Sequence, residues 1–211
     1  MRPFPRKQLR YVEVIVMAVG AADRHLVAEQ SDVGTAIRTG AVWGIIAAAV
    51  MAMYAMVAGL TYLNSGFFTP LYHIASSVIE PTAMMTSMQS AMEGQSNFHF
   101  AFGPAAVGMM IHFATGAIYG VAFALLARAL RLSGGIAVIA GMVYGVIVLL
   151  FSSFVGLPVA AAVFDGGDPI ADMPKMVGWT TFTIEHVLYG AILGGGWILA
   201  KRSAVGQRAE R

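Results

Sequence analysis

Two stretches of this chain, 41–63 and 135–164, contain no charged residue, and two more, 104–130 and 176–200, contain almost none. The second pair holds only His112 and Arg128 in one, and Glu185 and His186 in the other. The shortest stretch has 23 residues, roughly 34 Å of helix, enough to cross a ~30 Å hydrocarbon core with some tilt. Charged residues make up 11% of the chain, against about 25% in a soluble domain. These runs predict an all-α polytopic membrane protein with four transmembrane helices.

The basic residues then act as topology markers. Arg2, Arg6, Lys7, Arg10, Arg24 and Arg38 precede the first span. Arg128 and Arg131 lie between the second and third, and Lys201, Arg202, Arg208 and Arg211 follow the fourth. Of thirteen Lys and Arg, only Lys175 falls elsewhere. Positive charge stays on the cytoplasmic side, so both termini are expected inside. The expected organisation is a cytoplasmic segment 1–39, a four-helix domain 40–203 with an outer loop 64–103, and a cytoplasmic tail 204–211. The net charge of +2 does not point to nucleic acid; the expected surroundings are the lipid bilayer and other membrane subunits or further copies of the chain. Glu13 interrupts the apolar run YVEVIVMAVG, so the N-terminus reads as an uncleaved helix rather than a signal peptide. Leu9, Val12, Val16, Val19 and Leu26 share one stripe of it, suited to the inner leaflet or to the underside of the bundle.

The nonapeptide HFATGAIYG, from His112, has an echo in HVLYGAILG, from His186. A shift of 74 carries His112, Gly116, Ala117, Ile118, Gly120, Leu125 and Arg128 onto His186, Gly190, Ala191, Ile192, Gly194, Leu199 and Arg202. A weaker match, shifted by 97, carries Gly44, Gly59 and Leu60 onto Gly141, Gly156 and Leu157. The chain therefore reads as two helical hairpins in one orientation, a parallel internal repeat with a pseudo-two-fold axis along the membrane normal. Each His stands 16 residues from its matching Arg (128 − 112 and 202 − 186), so both lie at one depth, in the outer half of the membrane. Such an axis would point them towards each other. In the outer loop, Pro81 can start and Gly94 can end a short helix carrying Met84, Met88 and Met92. Gly156 and Pro158 predict a kink in the third span.

Four-residue glycine spacing lets helices approach closely in lipid; it also leaves room for a flat ligand. Gly116 and Gly190 are thus candidates for either role. Ionisable groups inside a membrane face the bundle interior and find partners. That makes His112, His186 and Glu185 the candidate site, with the outer-loop His73 and His99 as further ligands. Four chemistries stay open for them: a hydrogen-bonded latch between helices; a transition-metal site for copper, zinc or iron, since imidazole with carboxylate suits these ions; a haem b held axially by His112 and His186; and a proton or solute relay. Methionine runs such as MAMYAM (51–56) would suit Cu(I) but are also ordinary packing. Asp165, Asp168 and Asp172 do not have EF-hand spacing. Cysteine is absent, which excludes thiolate sites and disulfides, and no Walker loop, GxSxG or HExxH signature occurs. The reading is accessory or ligand-binding rather than catalytic, against a structural subunit of a larger complex or a small transporter.

The order of these pieces resembles a group of uncharacterised four-helix inner-membrane proteins of bacteria. In that group a helix opens with His and small residues, as at 112–119 here. A following helix ends near Gly-Leu-Pro, as at Gly156, Leu157 and Pro158, and a later helix carries Glu beside His, as at Glu185 and His186. The resemblance covers the second half of the chain and implies a bacterial cytoplasmic membrane; it brings no activity with it.

Overall fold

The structure, a computed structural model, describes residues 6–209, with side chains over 33–203. Helices are the only regular elements among the described residues: α1 (Arg6–Leu60), α2 (Thr69–Ala75), α3 (Thr82–Met92), α4 (Phe102–Ala129), α5 (Gly134–Phe151), a π-helical turn (Ser152–Gly156), α6 (Leu157–Phe164), α7 (Gly167–Ala171), α8 (Met173–Val177) and α9 (Trp179–Ala209). Among the described residues, four stretches are long and apolar enough to span a membrane: Val33–Leu60, Phe102–Ala129, Gly134–Phe164 and Trp179–Ser203. The protein is an all-α membrane protein, as the apolar runs require.

The side chains are sorted inside-out relative to a water-soluble bundle. Along α5 and into the π-helical turn, Ile136, Ile139, Val143, Ile147, Leu150 and Phe154 recur every three or four residues and are 49–67% exposed. The interior is built instead from Ala36, Ala47, Ala48, Ala124, Ala127 and Ala137, with Phe123, Tyr189 and Leu193. Lipid tails solvate the large apolar side chains as well as other side chains do. Close backbone packing of small residues is what remains to hold helices together.

Glycine sets that packing. A methyl group on Gly44 would strike the Gly116 carbonyl, and one on Gly120 the Gly40 carbonyl, so α1 and α4 touch backbone to backbone. The same holds for α5 and α9: Gly141 meets the Gly190 carbonyl, Gly145 that of His186, and Gly194 that of Ala137. The two contacts share one register. Gly44 with Gly116 corresponds to Gly141 with Gly190, and Gly40 with Gly120 to Ala137 with Gly194. These are displacements of 97 and 74, the offsets of the sequence match.

Several boundaries differ from the expectation. The first span is part of the uninterrupted helix α1, with no break near residue 39, because no Gly–Pro punctuation interrupts it. The apolar stripe from Leu9 to Leu26 lies outside the residues whose side chains are described. The fourth span begins at Trp179 rather than 176, because Gly178 takes φ +88° and separates it from α8. The expected disruption of the third span is the π-helical turn just before Pro158. Proline has no N–H to continue the ladder, and the widened turn absorbs the mismatch.

The segments joining the spans on the side of the α4 and α9 N-termini fold back as a cap. The helix expected between Pro81 and Gly94 is α3, with Pro81 as N-cap and Gly94 at φ +69°. Helices α2, α7 and α8 have no counterpart in the sequence reading. Helix α2 has Pro70 in its first turn and packs so close to α4 that the Leu71 carbonyl fills the place of a Gly108 side chain. The Thr69 hydroxyl meets the Ser87 hydroxyl at 2.7 Å, fixing α2 to α3.

Candidate functional site

Under this cap, between the two hairpins, lies a cavity of about 300 Å³. It is at the small end of the range for small-molecule sites, about 300–1,000 Å³. Its wall includes His73 from α2, His112 from α4, and Glu185 and His186 from α9. Four of the five ionisable residues singled out by the sequence therefore meet on one surface, although His73 is separated from Glu185 by 112 positions (185 − 73). The fifth, His99, does not reach it. His99 is half-buried beside the cap, and its backbone carbonyl accepts a hydrogen bond from the Tyr72 hydroxyl at 3.0 Å.

Each histidine of the wall spends one ring nitrogen on a backbone carbonyl. His73 Nε2 donates to Pro169 O at 2.7 Å, tying α2 to α7. His112 Nε2 donates to Ala48 O at 2.9 Å, tying α4 to α1. His186 Nδ1 donates to Phe182 O, one turn back on its own helix, at 2.8 Å. A carbonyl only accepts, so the hydrogen sits on these nitrogens. In a neutral ring His73 Nδ1, His112 Nδ1 and His186 Nε2 are left as acceptors. His112 and His186 meet different neighbours at corresponding positions: Ala48 on α1 and Gly145 on α5. At Gly145 the His186 backbone itself comes into contact, and its ring bonds back along α9 instead of across. His73 lies outside the spans, and burial lowers its pKa below the ordinary 6.5.

Glu185 is 3% exposed, and its Oε1 has no hydrogen-bond partner. Neither His112 nor the neighbouring Thr183 hydroxyl takes it. His112 is bonded to Ala48, and the Thr183 hydroxyl donates to Trp179 O at 2.7 Å. Burying a carboxyl is costly unless a donor compensates its lost hydration, and no protein donor does so for this oxygen. Ser153 Oγ, in the π-helical turn, is likewise buried without a partner. Tyr189, four residues after Glu185, was not flagged by the sequence reading. It also lines the cavity, and its hydroxyl donates to Gly116 O at 2.6 Å. Its i, i+4 spacing from Glu185 is the signal that points to it.

The glycines take the packing role. Gly190 stands against Gly141, so the α5 backbone occupies the space a flat ligand would need there. Gly116 borders the cavity but is already in contact with Ala48 Cβ and Gly44. Among the described residues no three His, Asp or Glu side chains converge where a single metal ion could hold them. A metal centre of the expected kind would require the second ring nitrogens of these histidines to be brought together, their N–H groups staying on the carbonyls. No protein-family model, no curated protein and no solved structure matches this chain.

Proposed function

We propose that this protein is a ligand-binding protein of the bacterial cytoplasmic membrane, with both chain ends inside. Its site is the cavity lined by His73, His112, Glu185 and His186. The observation that carries the reading is Glu185: a carboxyl oxygen without a partner, on the wall of a cavity rather than in packed core. Structural ion pairs in membranes bury their charges against one another; this carboxyl oxygen has no such counter-charge. The distribution of Lys and Arg supports the orientation, which puts the cap and the cavity on the outer side. The resemblance in the second half of the chain supports the bacterial membrane.

The experiment is an inventory of what the protein holds when purified in mild detergent from its own membrane. Elemental analysis, a visible spectrum and mass spectrometry of an organic extract would be run beside Ala160→Phe, which grows a side chain into the cavity. A near-stoichiometric small molecule that is lost in Ala160→Phe supports the reading. An empty wild type whose stability Ala160→Phe leaves unchanged or raises would overturn it. A second reading, a structural subunit, has its own observation: the His112–Ala48 and His73–Pro169 bonds tie separate elements together. It predicts that replacing these histidines costs stability and nothing else.

A further inference from the structure

We infer that the cavity selects an apolar molecule carrying a protonated amine, with Glu185 as its counter-ion. This inference rests on the cavity being a binding site and goes on to the chemistry of its occupant.

The wall has an excess of acceptors. Its three histidines spend their N–H groups on Pro169, Ala48 and Phe182 carbonyls. The Tyr189 hydroxyl is spent on Gly116 O, and that of Ser77 on Ile74 O at 2.7 Å. What the wall offers inward is the Glu185 carboxyl and the second ring nitrogens; the hydroxyls of Thr115, Tyr119 and Ser152 can serve as either donor or acceptor. Neither Lys nor Arg is among the lining residues, so nothing on the wall neutralises an ionised Glu185. The missing complement is a cation or a strong donor.

Two kinds of cation would answer. A metal ion needs several ligands converging at fixed distances, and no three side chains provide that. An ammonium group needs less. It is a point charge with up to three N–H donors, and one carboxylate with one or two imidazole nitrogens around it suffices. Phe182 and Tyr189 add aromatic surface beside Glu185, which suits a cation further. The rest of the wall sets the remainder of the molecule. Met51, Ile74, Ile111, Val148, Leu157 and Ile170 are apolar, so a hydrocarbon or aryl body is accommodated and a polar one is not.

The test uses matched probes of one size on the full chain in detergent: 4-phenylbutylamine, 4-phenylbutanol, 4-phenylbutyrate, and zinc(II) alone. Binding is followed by thermal shift and calorimetry, each read as the difference between wild type and variant in the same micelles, so that partitioning into detergent cancels. The amine is expected to bind at least tenfold more tightly than the alcohol, and the carboxylate not at all. In Glu185→Gln the amine should fall to the affinity of the alcohol while the alcohol is unchanged. An alcohol or carboxylate that binds as well as the amine, or an amine unaffected by Glu185→Gln, overturns the ligand class but leaves the cavity as a site. Zinc binding without amine binding also overturns it, in favour of a metal. If no probe binds and Ala160→Phe changes nothing, the cavity reading itself falls. The amine-to-alcohol ratio, read as the difference between wild type and Ala160→Phe, decides the matter even where Glu185→Gln does not fold.

Discussion

Gly190→Ala should unfold this protein more easily, and the structure sets the size of the effect. A Cβ at Gly190 would run into the Gly141 carbonyl oxygen, its nearest neighbour, and would lie 2.7 Å from the carbonyl carbon and 3.1 Å from Gly145 N. Carbon atoms pack best about 3.5–4.0 Å apart, so α5 and α9 must separate by about 1 Å. Both obstacles are backbone, and no side-chain rotamer can relieve them. A gap of that size forfeits about a quarter to a half of the dispersion energy along the contact, and overpacking typically costs about 1–3 kcal/mol. The gain in helix propensity from Gly to Ala, about 1 kcal/mol at most, offsets only part. The control is Gly195→Ala, one residue from the ladder on the same helix, where nothing lies within 4 Å of the added methyl. It should be neutral, or stabilised by about 0.5–1 kcal/mol. Equilibrium unfolding in mixed micelles of increasing SDS fraction, followed by the fluorescence of the chain's three tryptophans, measures both. The shared register adds a second condition: Gly44→Ala and Gly141→Ala should cost similar amounts. If Gly190→Ala lies within about 0.5 kcal/mol of Gly195→Ala, where surface substitutions usually fall, the backbone contact is not what holds α5 to α9.

Glu185→Leu should raise stability by about 1–3 kcal/mol, the penalty of an unsatisfied buried polar group, while abolishing amine binding; a loss of stability in the same SDS titration would mean that the carboxyl has a partner in the fold. Tyr189→Phe removes the 2.6 Å bond to Gly116 O and should cost about 0.6–2 kcal/mol, the range for hydrogen bonds between membrane helices; no change would place that hydroxyl elsewhere. Burial holds the His73 pKa below 6.5, so the unfolded segment takes up its proton first. Stability of the cap should be complete above about pH 6.5 and decline as pH falls below it; limited proteolysis of the cap against pH would show the decline in wild type and not in His73→Gln. The chain has no cysteine of its own, so Asn97→Cys and Ser203→Cys can report orientation; a membrane-impermeant maleimide added outside intact cells should label position 97 and spare position 203, and the opposite pattern would invert the topology.

The spans were legible because a long uncharged run has one physical solution in lipid, where each backbone group must be satisfied within its own segment or in a closed barrel. The glycine register was legible for a similar reason: where contact is backbone to backbone, one residue type is needed at each crossing. Pro158 announced the π-helical turn and Pro81 with Gly94 announced α3. Helices α2, α7 and α8 have seven, five and five residues, too short to be stable alone. They exist because they pack on the bundle, and nothing periodic in their sequence says so. His73 is hidden for the same cause: it reads as an outer-loop residue until α2 turns back onto α4. Glu185 and His186 were legible as costly residues, but their partners were not. The His112 ring reaches a carbonyl across the gap and the His186 ring one on its own helix, a difference that the matching sequences around them do not carry.

The cavity follows from where the two matching hairpins cease to match. On one side α1 lies against α9, with the Trp43 ring pressed over Gly196. The corresponding positions on the other side, displaced by the same 97 and 74, are Ala140 and Ala122. Two alanines give no large side chain to seat and no glycine notch to seat it in. There α4 and α5 stand further apart, bridged by the Tyr144 hydroxyl on Tyr119 O at 2.8 Å and by the Phe123 and Tyr144 rings, 5.4 Å between centroids. Past that bridge, towards the cap, nothing comparable closes the space. His112 and Thr115 of α4 face a wall made by Val148 and the π-helical turn. A symmetrical bundle with a Trp-into-Gly contact on both sides would bring α4 onto α5 on the far side of the bridge and narrow this volume from there. A Trp at Ala140 with a Gly at Ala122 should therefore draw α4 onto α5 and shrink the cavity. The backbone contacts of the two hairpins would stay as they are, so the fold would survive while amine binding is lost. A double variant that folds and still binds the amine with unchanged affinity would show that the cavity does not depend on this asymmetry.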